Sequence, residues 1–85
     1  VSYSIKWLPE AERTFALVIE YLEENWTPKE VLTFIDRTDE VIKYIADRPK
    51  QYIYSNRKDA YRVVVTKQIS LFYRIKSNEI ELLVF

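Results

Sequence analysis

Most common catalytic chemistries are closed to this sequence, because it contains no histidine, no cysteine and no glycine. Without histidine there is no Ser-His or Cys-His pair and no imidazole metal site. Without cysteine there is no disulfide framework and no zinc–thiolate site. Without glycine, Walker loops, dinucleotide fingerprints and nucleophile elbows are all excluded. The groups that remain conspicuous are Arg62 and Arg74, which sit with Tyr61 and Tyr73 in two alternating segments of the second half. A guanidinium is a planar fork suited to phosphate or carboxylate, so this pair points to an anionic partner. The plainer reading is a cross-strand pairing with Glu81, worth ~0.2–1 kcal/mol per pair. Both arginines fall on a partly apolar face, which favours the interfacial reading.

The elements that must position these residues fit one domain of 85 residues. Half the sequence is apolar (48%), enough to furnish a small core. Net charge is zero but unevenly laid out: residues 1–47 carry five Lys/Arg against ten Asp/Glu, and residues 48–85 carry eight against three. Such asymmetry can mark a surface for an anionic partner, but the plainer and preferred reading at this point is that solvated helices carry glutamates while strands carry arginines. No apolar run approaches the roughly 18 residues of a membrane span, and Lys6 and Glu10 interrupt any leader-like N-terminus. The expected setting is cytoplasmic. The sequence stops while a strand is still running, at Leu82-Leu83-Val84-Phe85, so a short further tail is expected.

Residues 3–7 alternate and read as a strand. Pro9 opens a helix whose apolar stripe is Ala11, Phe15, Val18, Ile19, Leu22 and Trp26, spaced by three and four. Thr27-Pro28-Lys29-Glu30 is a capping box with proline at the first helical position. The second helix buries Val31, Phe34, Ile35, Thr38, Ile42 and Ile45 and must stop near Arg48, before Pro49. With almost no link between them, the helices fold back as an antiparallel hairpin. Residues 49–59 read as a basic loop with Tyr52 and Tyr54 at the core edge.

Three strands follow, Ala60–Thr66, Ile69–Lys76 and residues 79–85, joined by Lys67-Gln68 and Ser77-Asn78. Asn78 suits the left-handed geometry of a two-residue turn, whereas Lys67-Gln68 suits it poorly and predicts a longer loop or a bulge. The fold class is therefore α+β: β-α-α-β-β-β, an antiparallel sheet with a helical hairpin on one face. By the period of two, Tyr61, Val63, Val65, Leu71, Tyr73, Ile75, Ile80, Leu82 and Val84 face the helices. The other face takes Arg62, Val64, Thr66, Ser70, Phe72, Arg74, Lys76, Glu81, Leu83 and Phe85. Apolar groups of that size on an outer face imply that something covers it.

A chain of this size and order, with Tyr61-Arg62-Val63 followed by Leu71-Phe72-Tyr73-Arg74-Ile75, resembles the RelE/ParE superfamily of toxins from type II toxin–antitoxin (plasmid stabilisation) systems. The resemblance runs from Ile5-Lys6-Trp7 to Ile80-Glu81-Leu82-Leu83. It implies a toxin that halts growth, neutralised by a cognate antitoxin in a hetero-oligomer, with no cofactor and no metal. RelE-like members cut messenger RNA on the ribosome, while ParE-like members inhibit DNA gyrase without cleavage chemistry of their own. Attack by a 2′-hydroxyl needs a base, a proton donor and cations for the phosphorane. RelE-like enzymes place two lysines on the strand matching Ala60–Thr66 and an arginine on the next; here those positions hold Arg62, Val64 and Ser70. The departure turns the reading toward ParE-like action by binding a target such as gyrase. The alternatives are a ribosome-dependent endoribonuclease using Arg62, Arg74 and Tyr73 or Lys67, and an inactive module that only binds antitoxin. No catalytic residue is assigned. The residues expected to bind antitoxin or target are Arg62, Val64, Phe72, Arg74, Leu83 and Phe85, with Arg57, Lys58 and Lys67 as a looser basic set.

Overall fold

The computed structural model describes residues 2–85. Its first strand, β1 (Ser4–Trp7), leads through Leu8 into α1 (Pro9–Asn25) and then α2 (Pro28–Asp47). Proline occupies the first turn of both helices, where its missing N–H costs nothing, and Glu10, Glu12 and Glu30 complement the helix dipoles there. The capping box closes differently from the expected form. Thr27 Oγ1 donates to Glu30 Oε2 at 2.7 Å, and the turn is held by the Glu30 N–H on the Thr27 carbonyl at 3.0 Å.

Along α2 the fully buried positions are Phe34, Thr38, Val41 and Ile45, a four–three–four spacing. Val41 thus replaces Ile35 in the expected stripe, and Ile35 is exposed. Thr38 satisfies its buried hydroxyl on the Phe34 carbonyl at 2.8 Å. On α1 only Ala11 is fully buried; Phe15, Val18, Ile19 and Leu22 pack half-buried on the core, and Trp26 is exposed.

The segment expected to be a loop contains a 3₁₀ turn (Pro49–Gln51) and a short strand, β2 (Ile53–Ser55). β3 (Ala60–Thr66), β4 (Ile69–Lys76) and β5 (Glu79–Val84) follow. The sheet order is β1-β5-β4-β3-β2. It is mixed rather than antiparallel throughout, because β1 lies parallel to β5. A parallel pair needs a long crossover, and the helical hairpin with the β2–β4 segment supplies it.

Two bulges set which side chains face which way. Val64 pairs with Ser70 and Thr66 with Ile69, leaving Val65 as the extra residue and moving Thr66 to the side of Ile69, which packs on the core. This is the irregularity expected from Lys67-Gln68. In β5, Tyr73 pairs with Leu82 but Phe72 pairs with Val84, so Leu83 is extra. Beyond it the alternation inverts: Val84 shares a face with Phe72, and Phe85 turns toward the helices. At the β4–β5 turn the left-handed residue is Ser77 (φ 58°), not Asn78. Asp59 (φ 51°) closes the β2–β3 connection, a conformation its short polar side chain tolerates.

The core lies between the hairpin and the inner sheet face, around Phe34, Ile45, Leu71, Tyr73, Ile80 and Leu82. At one end Trp7, Phe15, Phe34 and Phe85 form an aromatic cluster with ring centroids 5.2–6.4 Å apart. At the other, Tyr61 stacks on Tyr73 at 5.4 Å and meets Tyr54 edge-to-face at 5.1 Å.

Candidate functional site

The central strands β3 and β4 hold Arg62 beside Phe72 and Val64 beside Ser70 on the outer sheet face. Pairing with β2 adds Ile53 on the far side of Arg62, and pairing with β5 adds Glu81 beside Arg74 and Val84 beside Phe72. Lys6 on β1 continues the row past Glu81. Arg62 thus stands among apolar residues along its strand and across the sheet, whereas the row through Arg74 is charged.

Each arginine is anchored by a neighbour. Arg62 Nε donates to Ser70 Oγ at 3.2 Å, and the rest of its guanidinium has no partner among the described residues. Arg74 gives both Nε and Nη2 to one oxygen of Glu81, at 3.2 and 3.0 Å. The Glu81 side chain is only 8% exposed while that of Arg74 is 49% exposed. Glu81 therefore depends on Arg74 for charge compensation, whereas Arg74 keeps an open edge for a second partner. Val64 is 48% exposed and Ile53 70% exposed, so the apolar residues flanking Arg62 on these two strands stand in water, while Phe72 and Val84 are half-buried.

Of the residues expected on this face, Arg62, Val64, Phe72 and Arg74 come together, and Leu83 forms the β5 bulge beside them. Phe85 does not join them. Its ring lies 5.2 Å from Phe15 and 5.5 Å from Trp7 by centroid, and its backbone N–H donates to Thr14 Oγ1 at 2.9 Å. The bulge at Leu83 is the cause, because one extra residue exchanges the two faces. Within the looser basic set, Lys58 reaches over the face, its Nζ 5.4 Å from the Phe72 ring centroid. Arg57 is exposed in the β2–β3 connection, and Lys67 belongs to the β3–β4 turn, where it borders a cavity on the helix side. Ile53, Lys6 and Val84 escaped sequence reasoning. The first sits on an unforeseen strand, the second on a strand with an unforeseen partner, and the third lies beyond an unforeseen bulge.

Tyr73 is unavailable for acid–base work. It is fully buried, it donates to the Pro49 carbonyl at 2.6 Å, and burial pushes its hydroxyl pKa well above the ordinary tyrosine value. Tyr54, at the sheet edge, is bonded to the Asp59 carboxylate, and that bond raises its pKa too. Among the described residues, no three His, Cys, Asp or Glu side chains stand together as a metal site. No helix among them is long and apolar enough to cross a membrane.

No family model matches the sequence, and no curated protein matches it either. Solved structures do share the fold. A chain of the chromosomal ParDE TA system from P. aeruginosa superposes with a TM-score of 0.78 at 18% identity, over 98% of this chain and 92% of that one. A chain of the heterotetrameric YoeB-YefM toxin-antitoxin complex from Staphylococcus aureus gives 0.63, also at 18% identity, over 99% and 94%. From β1 to the end of β5, this chain has the RelE/ParE-like toxin fold.

Proposed function

We propose that this protein is the toxin component of a type II toxin–antitoxin system, ParE-like in that it acts by binding a cellular target such as DNA gyrase. A cognate antitoxin holds it inactive in a hetero-oligomer. The fold it shares with chains of two toxin–antitoxin complexes supports the general reading. The single observation that carries the binding mode is the outer sheet face, where Arg62, Arg74 and Lys58 interleave with Val64, Phe72 and Val84. A flat surface of that kind suits an acidic, partly apolar segment, whose carboxylates meet the guanidinium edges while its apolar side chains cover the valines. Against the ribonuclease alternative stand Val64 and Ser70, at positions where the resemblance implies cations, and Tyr73, which is buried and hydrogen-bonded.

The test is to induce the chain alone and together with the small acidic partner expected from a neighbouring reading frame. Growth arrest with gyrase-linked DNA breaks, intact messenger RNA and rescue by the partner is the expected result. Prompt ribosome-dependent RNA cleavage would overturn the ParE-like reading in favour of the endoribonuclease. Tight partner binding without any growth effect would leave only an antitoxin-binding module.

A further inference from the structure

On the opposite layer from the sheet face lies a cavity of about 890 Å³, between α1, α2 and the β3–β4 turn. Its volume is within the roughly 300–1,000 Å³ typical of small-molecule sites. Val18, Leu22, Phe34, Ile69 and Phe85 form its inner surface, and Leu17, Tyr21 and Trp26 form its open wall. These three wall residues are about half exposed, at 48%, 56% and 55%. Leu17 and Tyr21 lie on α1 and Trp26 caps its C-terminus, and the three gather at one place rather than scattering.

The charged residues of the rim are two lysines and one glutamate. Lys29, in the first turn of α2, and Lys67, in the β3–β4 turn, both border the cavity, and neither makes an ion pair among the described residues. The one carboxylate on the rim, Glu30, accepts the Thr27 hydroxyl at 2.7 Å. An apolar trough bordered by two ammonium groups that make no ion pair among the described residues is complementary to a hydrocarbon chain ending in an anion.

We propose that this cavity binds a free single-chain anionic amphiphile of the fatty-acid type. The alkyl chain lies along Leu17, Tyr21 and Leu22, and the carboxylate is held at the rim by Lys67 and Lys29. The site is separate from the partner-binding face and does not depend on the reading given to that face.

Titration of the purified full chain with dodecanoate, below the concentration at which it forms micelles, tests the proposal. Trp26 lines the site, so its fluorescence should shift with ligand in step with the heat measured by calorimetry, saturating at one molecule per chain. Along the series octanoate, decanoate, dodecanoate, affinity should rise by about fourfold per added methylene. Dodecyltrimethylammonium, the same chain with the opposite charge, should bind at least about tenfold more weakly. Lys67→Glu lies in an exposed turn away from the core and should weaken dodecanoate by about tenfold while leaving the circular dichroism spectrum unchanged. Non-saturating uptake would overturn the proposal, as would equal binding of the cationic chain or indifference to Lys67→Glu.

Discussion

The outer sheet face and the helix-side cavity both expose apolar surface, yet they keep it wet in different ways. On the sheet, large apolar residues alternate with arginines, and Ser70 and Glu81 tie those arginines down. The result is a flat, pre-positioned surface whose charges have few rotamers to lose on binding. In the cavity, Leu17 and Tyr21 line a concave wall, and the two lysines that border it make no ion pair among the described residues. Sheet geometry explains the contrast. β5, β4 and β3 are neighbours, α1 packs on β5 and α2 on β3, so the helices straddle β4 and leave a trough above its first residues. This difference in shape suits the proposed occupants, a broad partner on the face and a narrow ligand in the trough.

The largest expected effect falls on the face. Arg62→Glu combined with Val64→Glu places two charges at its centre, at positions that are already exposed. Partner binding should weaken by about 2–4 kcal/mol, as for a hot-spot pair, while dodecanoate binding in the cavity stays unchanged. Calorimetric titration of both ligands against the variant checks the separation. Loss of both would mean that the two regions are coupled; loss of neither would remove the face as the partner site.

Arg74 must be handled differently from Arg62, because it is part of the structure as well as of the face. Arg74→Ala strips the buried Glu81 of its only hydrogen-bond donors among the described residues and should destabilise the fold by about 1–3 kcal/mol in urea. Adding Glu81→Gln should recover most of that loss, since a neutral amide is easier to bury than an unpaired carboxylate. If the double variant is no more stable than the single one, Arg74 contributes by packing its stem and not by charge.

Much of the architecture was legible in the residues, because it rests on local rules. Pro9 and Pro28 start helices for the same steric reason, and Phe34, Thr38 and Ile45 share a face by spacing alone. The poor turn Lys67-Gln68 signalled a bulge that is present. What stayed hidden depends on pairing at a distance. Nothing near residues 4–7 says that their partner is β5 or that it runs parallel. β2 has only three residues and leans on β3. Most consequential is the bulge at Leu83, since period-two reasoning past it assigns Val84 and Phe85 to the wrong faces. Phe85 is drawn inward by Trp7 and Phe15, each from a different element, so no local pattern could announce it. The trough had a faint signal, Leu17 and Tyr21 one turn apart and outside the buried stripe of α1.

Tyr73 gives a prediction on pH that belongs to neither region and so calibrates both. Its hydroxyl ionises less readily in the folded chain than in the unfolded one, so above about pH 10 the unfolded state loses a proton that the folded state retains. Stability should therefore fall as pH rises past that point. Tyr73→Phe should remove this part of the alkaline slope and, by leaving the Pro49 carbonyl without its donor, cost about 1–2 kcal/mol at neutral pH. Urea unfolding at neutral and alkaline pH measures both; an unchanged slope in the variant would assign the alkaline loss to other groups.

The smallest effect on stability comes from Leu17→Glu, and it is the most informative for the trough. Leu17 is half exposed on α1 and outside the core cluster, and glutamate is a good helix former, so unfolding free energy should move by no more than about 0.5 kcal/mol. A carboxylate in the apolar wall would nevertheless repel the head group and wet the path of the alkyl chain, so saturable dodecanoate binding should disappear. Partner binding at the sheet face, on the other side of the molecule, should be untouched. That combination separates the two regions from the opposite direction to the Arg62 and Val64 change. If Leu17→Glu weakens the protein partner instead, the trough is a second docking surface for that partner, and its proposed occupant is wrong.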